Sequence, residues 1–248
     1  MRRQPGQPDR SGGRSGQDPA VRIGPARYAA WRASRLGAVT EALEQRLLRE
    51  LAGDPAGRRV LDVGCGDGVL ACALAARGAE VSAVDADPAM VAAARARATQ
   101  AGVGLIVAEG RLPALPYADG AFDLVVASTV LCFVPDAAQA LRELARLLAP
   151  GGRLVIGELG RWSAWATIRR VRGRLGAETW RAARFRSAGE LRALAEEAGL
   201  RVEAVRGAIY YPPVGAVARA LAGLDSRLGR RTTIGAAFIA LAARKPGG

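Results

Sequence analysis

Histidine is absent from this chain of 248 residues, and lysine occurs once, at Lys245. Without histidine, Ser-His-Asp and Cys-His machinery, histidine metal sites and imidazole proton shuttles are excluded. Any general base must be a carboxylate, a tyrosine, a cysteine or a group on the substrate itself. Cysteine is scarce too. Cys65, Cys72 and Cys132 are scattered, no pair has metal-ligand spacing, and no secreted context supports a disulfide. No metal site is expected. No apolar run reaches the ~18 residues that a membrane-crossing helix needs. The N-terminal stretch is rich in Arg, Gln, Pro and Gly and has no apolar h-region, so it does not read as a secretory signal. The default expectation is a cytoplasmic protein.

What the chain does have is a hydrophobic half and a large positive charge. Hydrophobic residues make up 50%, enough for a sizeable core, and the length fits one large α/β domain. The net charge of +13 is uneven. Acids outnumber bases between 50 and 150, while residues 1–49 and 151–231 carry the excess of arginine. Such a field suits an acidic substrate, an anionic membrane surface or nucleic acid. The plain alternative is a soluble domain with a basic surface. Residues 1–24 hold few apolar side chains and are expected to be a disordered basic tail, with one domain over 25–248.

The most informative stretch is Arg58-Arg-Val-Leu-Asp-Val-Gly-Cys-Gly-Asp-Gly-Val-Leu70. It reads as a buried strand, a glycine turn at Gly64, Gly66 and Gly68, and a helix opening near Val69. The acid Asp62 sits at the carboxyl end of the strand, where open α/β sheets bind ligands. A dinucleotide fingerprint requires G-x-G-x-x-G facing a pyrophosphate. Here the third glycine comes one residue early, and Val69 stands where that glycine belongs. An acid two residues before the first glycine repels a diphosphate and suits an ammonium group. S-adenosylmethionine (SAM) carries an ammonium and a sulfonium and no phosphate. A second strand ends at Asp85, 19 residues after Gly66, where a carboxylate can accept two ribose hydroxyls. Pro88 opens the next helix.

From Val60 onward, strand and helix patterns alternate, which predicts a parallel sheet with right-handed crossovers. Strands are expected near 59–64, 80–85, 104–108, 122–128, 152–158, 201–208 and 236–243. Helices are expected near 69–77, 88–101, 136–148 and 187–198. Residues 26–51 read as helical, with Gly37 interrupting the pattern.

Four motifs in order carry a family resemblance: V-L-D-V-G-C-G-D-G, V-D-A-D-P-A-M, A-F-D-L-V-V-A-S and L-A-P-G-G-R-L-V-I. The chain resembles class I SAM-dependent methyltransferases, and among them the methyltransferase type 11 group, which includes the quinone-biosynthesis C-methyltransferases. The resemblance implies a Rossmann-like, seven-stranded, mostly parallel sheet with helices on both faces and the last strand antiparallel. It implies SAM as cofactor, with contacts at Asp62, Gly64, Cys65, Gly66, Asp85, Ala86, Arg111, Leu112 and Ser128. Arg111 stands where relatives carry an acid for the adenine amino group, and a guanidinium cannot accept that hydrogen bond. It could stack on the ring instead, with the backbone of Leu112 serving the edge. Glu109 lies two positions off, and Asp123 reads as structural.

The resemblance also implies a lid over 26–51 and acceptor-pocket segments at 160–186 and 209–233. Tyr28, Trp31, Cys132, Trp162 and Tyr210 are the candidate acceptor contacts, beside the alternative that Tyr28, Trp31 and Cys132 simply pack. No catalytic base is assigned. The expected function is methyl transfer from SAM to a small-molecule or lipid-like acceptor, with O-, C- and N-methylation open. The absence of an N-P-P-Y-type motif after strand four and of an RNA-binding module points away from nucleic acid. An RNA or protein methyltransferase and a non-catalytic SAM-binding protein stay as rivals. A nicotinamide-dependent oxidoreductase is disfavoured by Asp62 and Val69. Trp162, Trp165, Ile168, Val171 and Leu175 recur at spacings of three and four, with Arg161, Arg169, Arg170, Arg172 and Arg174 at the other positions. This suggests peripheral contact of 160–186 with an anionic membrane, beside the alternative that the apolar face packs on the domain and the arginines are solvated.

Overall fold

The computed structural model describes residues 24–247; all but the last residue of the expected tail lies outside them. The elements run α1 Pro25–Ala33, α2 Arg35–Ala52, β1 Arg59–Val63, α3 Val69–Ala75, β2 Glu80–Asp85, α4 Pro88–Ala101, β3 Leu105–Glu109, β4 Phe122–Ser128, α5 Ala137–Leu147, β5 Leu148–Leu159, α6 Ala164–Arg174, α7 Glu178–Ala182, α8 Ala188–Glu197, β6 Arg201–Ala208, α9 Gly215–Arg231 and β7 Phe238–Arg244.

The strands form one seven-stranded sheet in the order β3-β2-β1-β4-β5-β7-β6. β1 to β5 are parallel, and β7 runs antiparallel between β5 and β6. β1, β4 and β5 are near-continuous apolar runs because helices cover both of their faces. On one face, leucines 43, 47, 48 and 51 of α2 pack with Leu70 and Leu74 of α3, Val91 of α4 and Ala218 of α9. On the other, Leu141 and Leu144 of α5 pack with Leu191 and Ala195 of α8. A smaller cluster of Cys132, Leu159, Ala166 and Phe185 ties α6 and the segment after α7 to the carboxyl ends of β4 and β5. The chain reverses its direction of strand addition between β1 and β4, so a crevice opens beyond the carboxyl ends of those strands.

Three expectations shift. The break in the N-terminal helix falls at Ser34, not Gly37. Ser34 is extended, and its hydroxyl accepts from the Gly37 amide, which caps α2. β5 begins at Leu148, four residues early, because Leu148 pairs with Phe122 across an irregularity in the β4 ladder. Within 209–233 the chain is helical from Gly215. The Asp225 carboxylate on that helix accepts from the amides of Ile209 (2.8 Å) and Tyr210 (3.1 Å). Ile209 has φ +65°, a costly conformation for a β-branched residue, and these bonds help to hold it.

Candidate cofactor and acceptor site

β1 delivers Asp62 and the glycine turn to the crevice. The amides of Gly64 and Cys65 both donate to the Val84 carbonyl, at 2.8 and 3.0 Å, which fastens the turn to the end of β2. Gly64 and Gly66 have φ of +67° and +55°, a region that favours glycine. Their surroundings differ. A Cβ on Gly64 would collide with Val130, whereas one on Gly66 would meet open space. The backbone at Gly66 therefore faces room for a ligand.

Asp85 closes the other side of the turn. One oxygen accepts from the Gly66 amide at 2.8 Å, the other from the Asp87 amide at 2.9 Å. Burial pushes its carboxyl up, and the amides of Asp87, Gly66 and Ala86 oppose that shift. Asp62 is only 2% exposed, and one of its oxygens has no hydrogen-bond partner among the described residues. Burial pushes its carboxyl up to about 7, the nearby Asp85 adds to this, and the Ala71 amide opposes it. A buried carboxylate with an unbonded oxygen and a second carboxylate close by lacks a cation. These residues fit the ammonium of SAM at Asp62 and ribose hydroxyls at Asp85.

A third acid in the turn has its cations already. Asp67 receives Arg32 through both oxygens, one bond being 2.7 Å, and Arg97 at 2.6 Å. Burial alone would raise its carboxyl, but the two guanidiniums outweigh this and hold it below the usual range. Arg32 belongs to α1, so this pair latches α1 onto the cofactor turn. Tyr28 and Trp31 of α1 stack with ring centres 5.8 Å apart, and Arg32 lies over the Tyr28 ring.

The other candidates are placed as follows. Cys65 is buried within the turn, its thiol directed at the Gly66 carbonyl and pushed up by burial. Ala86 follows Asp85 at the mouth of the crevice, and Ser128 ends β4 beside Gly157 of β5. Arg111 is exposed and Leu112 is buried in the cluster that includes Val84 and Val63. Cys132 is fully buried in the small cluster. Its amide donates to Glu158 at 3.2 Å, and Glu158 is paired with Arg186 at 3.0 Å. Trp162 is 62% exposed, and the Tyr210 hydroxyl bonds the Thr232 carbonyl. Asp123 pairs with Arg59 at 2.7 Å, away from the crevice.

Sequence reasoning passed over several residues here. Tyr211, not Tyr210, joins α2 to α6: its hydroxyl meets Thr40 at 3.1 Å and its carbonyl accepts the Trp165 indole N–H at 2.8 Å. Thr129 directly after β4 has φ +56°, a strained position at the edge of the crevice. Glu41 and Glu44 lie near Tyr28, and Arg169 lies over the Trp165 ring. A carboxylate in a helical pattern or one arginine among many carries no local signal of such placement.

A methyltransferase-domain family model matches residues 61–156. The chain is 37% identical over 169 residues to a ubiquinone biosynthesis O-methyltransferase of Xanthomonas axonopodis pv. citri, covering 64% of this chain and 69% of that protein. The chain belongs to the SAM-dependent methyltransferase family. The cofactor of that family is SAM. An uncharacterized protein of Mycobacterium tuberculosis is 38% identical over 188 residues, which cover 76% of this chain and 62% of the relative's length. Among solved structures, a SAM-dependent methyltransferase of Thermotoga maritima, titled a possible histamine N-methyltransferase, superposes with a TM-score of 0.68 at 24% identity, covering 89% of this chain and 95% of that one. At that identity it supports the fold.

The raised Asp62 carboxyl gives a pH prediction. The folded state holds this proton up to about pH 7, while an unfolded aspartate releases it near 4. Between those values the folded state binds more protons, so this group makes stability fall as pH rises through that window. Asp62→Asn should therefore stabilise the ligand-free protein by roughly 4 kcal/mol at pH 8 and very little at pH 4. Urea unfolding of both proteins at the two pH values measures the gap, and an equal gap at both refutes the assignment.

Proposed function

We propose that the protein transfers a methyl group from SAM to a small-molecule or lipid-like acceptor. The observation that carries this reading is the unbonded buried oxygen of Asp62 beside Asp85, at a turn whose Gly66 faces open space. Bound SAM supplies a methyl carbon already activated by its sulfonium. The chain's own residues then have three tasks. Asp62 and the turn hold the amino-acid part, and Asp85 holds the ribose. The α1 helix, latched through Arg32 to Asp67, covers the turn and limits the entry of water. The walls of α2, α6 and the loop after β4 orient the acceptor, and orientation of this kind supplies ~7–11 kcal/mol of a barrier. A ubiquinone biosynthesis O-methyltransferase as relative favours a small organic acceptor over RNA or protein.

Asp85→Ala tests the cofactor part. Loss of its charge-assisted hydrogen bonds, ~1.5–3 kcal/mol in total, should weaken SAM binding by roughly ten- to a hundredfold in a folded protein. Calorimetry showing unchanged affinity removes Asp85 from the site.

The same reading extends to the surface of α6. Trp162 just before α6, Val171 and Leu175 are exposed, Leu175 at 81%, with Arg172 and Arg174 between them. Of the basic residues expected to be available there, Arg161 is paired with Glu190, Arg169 is held between indoles and Arg170 donates to the Arg161 carbonyl. Arg172 and Arg174 are unpaired among the described residues, and each arginine near an anionic surface contributes ~1 kcal/mol. Among the described residues no helix is long and apolar enough to cross a membrane. Weak, salt-sensitive co-sedimentation with anionic vesicles and none with neutral ones is expected. Equal binding to both, or to neither at low salt, removes the membrane contact.

A further inference from the structure

A cavity of about 990 Å³ opens between α6, α7 and α8, and none of the residues assigned to the cofactor lines it. Its wall carries six arginines, Arg161, Arg170, Arg174, Arg181, Arg184 and Arg186, against one acid, Glu190. The fold holds this wall in place. α6 and α7 meet at Gly173, where a Cβ would stand 2.9 Å from the backbone of Trp180 and Arg181. The segment after α7 is tied down by its own backbone. The Arg184 amide donates to the Cys132 carbonyl at 2.9 Å, the Arg186 amide to the Leu159 carbonyl at 3.0 Å, and the Arg161 amide to the Arg186 carbonyl at 2.9 Å.

The charges of the wall are only partly neutralised. Arg186 pairs with the buried Glu158 at 3.0 Å, and Arg161 pairs with Glu190 at 2.7 Å, which uses the wall's own acid. Arg181 reaches Glu178 at 3.7 Å, but both side chains are more than half exposed, so solvent weakens that pair. Arg170 lies over the Phe185 ring and donates to the Arg161 carbonyl at 2.9 Å. Among the described residues, Arg170, Arg174 and Arg184 have no carboxylate within 4 Å.

Like charges gathered on one wall repel, and an anion that reaches several of them relieves the repulsion. Guanidinium forks match phosphate oxygens in bidentate pairs. A cavity of this volume has room for more than a single phosphate, since small-molecule sites span roughly 300–1,000 Å³. Trp162, 62% exposed, also lines it and offers a surface on which a flat ring can stack. Val171 and Leu175, the exposed aliphatic side chains of α6, lie outside the wall, which favours a soluble ligand over a lipid headgroup with its acyl chains alongside.

We propose that this cavity binds a nucleoside polyphosphate, its phosphate chain on Arg170, Arg174 and Arg184 and its base on Trp162. The site is separate from the cofactor turn and does not rest on the methyl-transfer reading.

Calorimetry on the full chain with GTP, GMP and tripolyphosphate tests this, with S-adenosylhomocysteine present to fill the cofactor site. GTP should bind roughly tenfold or more tighter than GMP, and about threefold or more tighter than tripolyphosphate. Arg174→Gln and Arg184→Gln should each weaken GTP about fivefold or more. Arg172→Gln removes the same charge from α6 outside the wall and should change GTP affinity by less than about twofold. Trp162→Ala should weaken GTP and leave tripolyphosphate unchanged. These four side chains are exposed, so the variants should keep the fold, which circular dichroism checks. No binding of GTP, equal affinity for GTP and GMP, or a loss from Arg172→Gln as large as those from Arg174→Gln and Arg184→Gln overturns the proposal. GTP affinity untouched by Trp162→Ala overturns the base contact. Binding of phosphatidylglycerol vesicles that depends on Arg174 and Arg184, without binding of GTP, assigns the cavity to a lipid headgroup and overturns the soluble ligand.

Discussion

The arrangement depends on two carboxylates brought to the carboxyl ends of neighbouring parallel strands. Asp85 is satisfied by backbone amides of the glycine turn and of the next helix entry, whereas Asp62 retains an oxygen with nothing to bind. A parallel sheet covered on both faces leaves few places for a buried charge, and the switch point between β1 and β4 is one of them. The turn can pass between the two acids only because Gly64 and Gly66 tolerate positive φ and Gly64 leaves room for Val130. Stability and ligand binding are opposed at Asp62: the feature that destabilises the empty protein is the one that recruits a cation.

Around this centre the structure sorts its charges by use. Asp67, three residues past Gly64, is neutralised by Arg32 and Arg97 and serves to hold a helix. Glu158 is neutralised by Arg186 and props the backbone of the loop after β4. Asp225 stabilises a strained isoleucine by accepting two amides. Asp62 stands apart because one of its oxygens has no partner among the described residues.

The cofactor half was legible because it is local. Strand, glycine turn and helix follow one another within 13 residues, and the second acid is fixed by the length of one β-α unit. Strand positions were legible from apolar runs, apart from the early start of β5, which depends on a distant partner at Phe122. The acceptor half was less legible. The apolar spacing of Trp162, Trp165, Ile168, Val171 and Leu175 suggested one face, yet Trp165 turns inward to the Tyr211 carbonyl while Trp162 and Leu175 stay outside. Of the tyrosine pair 210–211, the second reaches α2 because Ile209 reverses the chain with a positive φ. The break at Ser34 follows from tertiary packing, which periodicity does not encode.

The central claim is that the unbonded Asp62 oxygen serves the ammonium of the cofactor's amino-acid part. Comparing S-adenosylhomocysteine with 5′-methylthioadenosine, which lacks that part, tests it most directly. In the wild-type protein the first ligand should bind more tightly. Asp62→Asn should remove most of that advantage and leave the affinity for 5′-methylthioadenosine unchanged. Equal losses for both ligands, or none for either, would contradict the account.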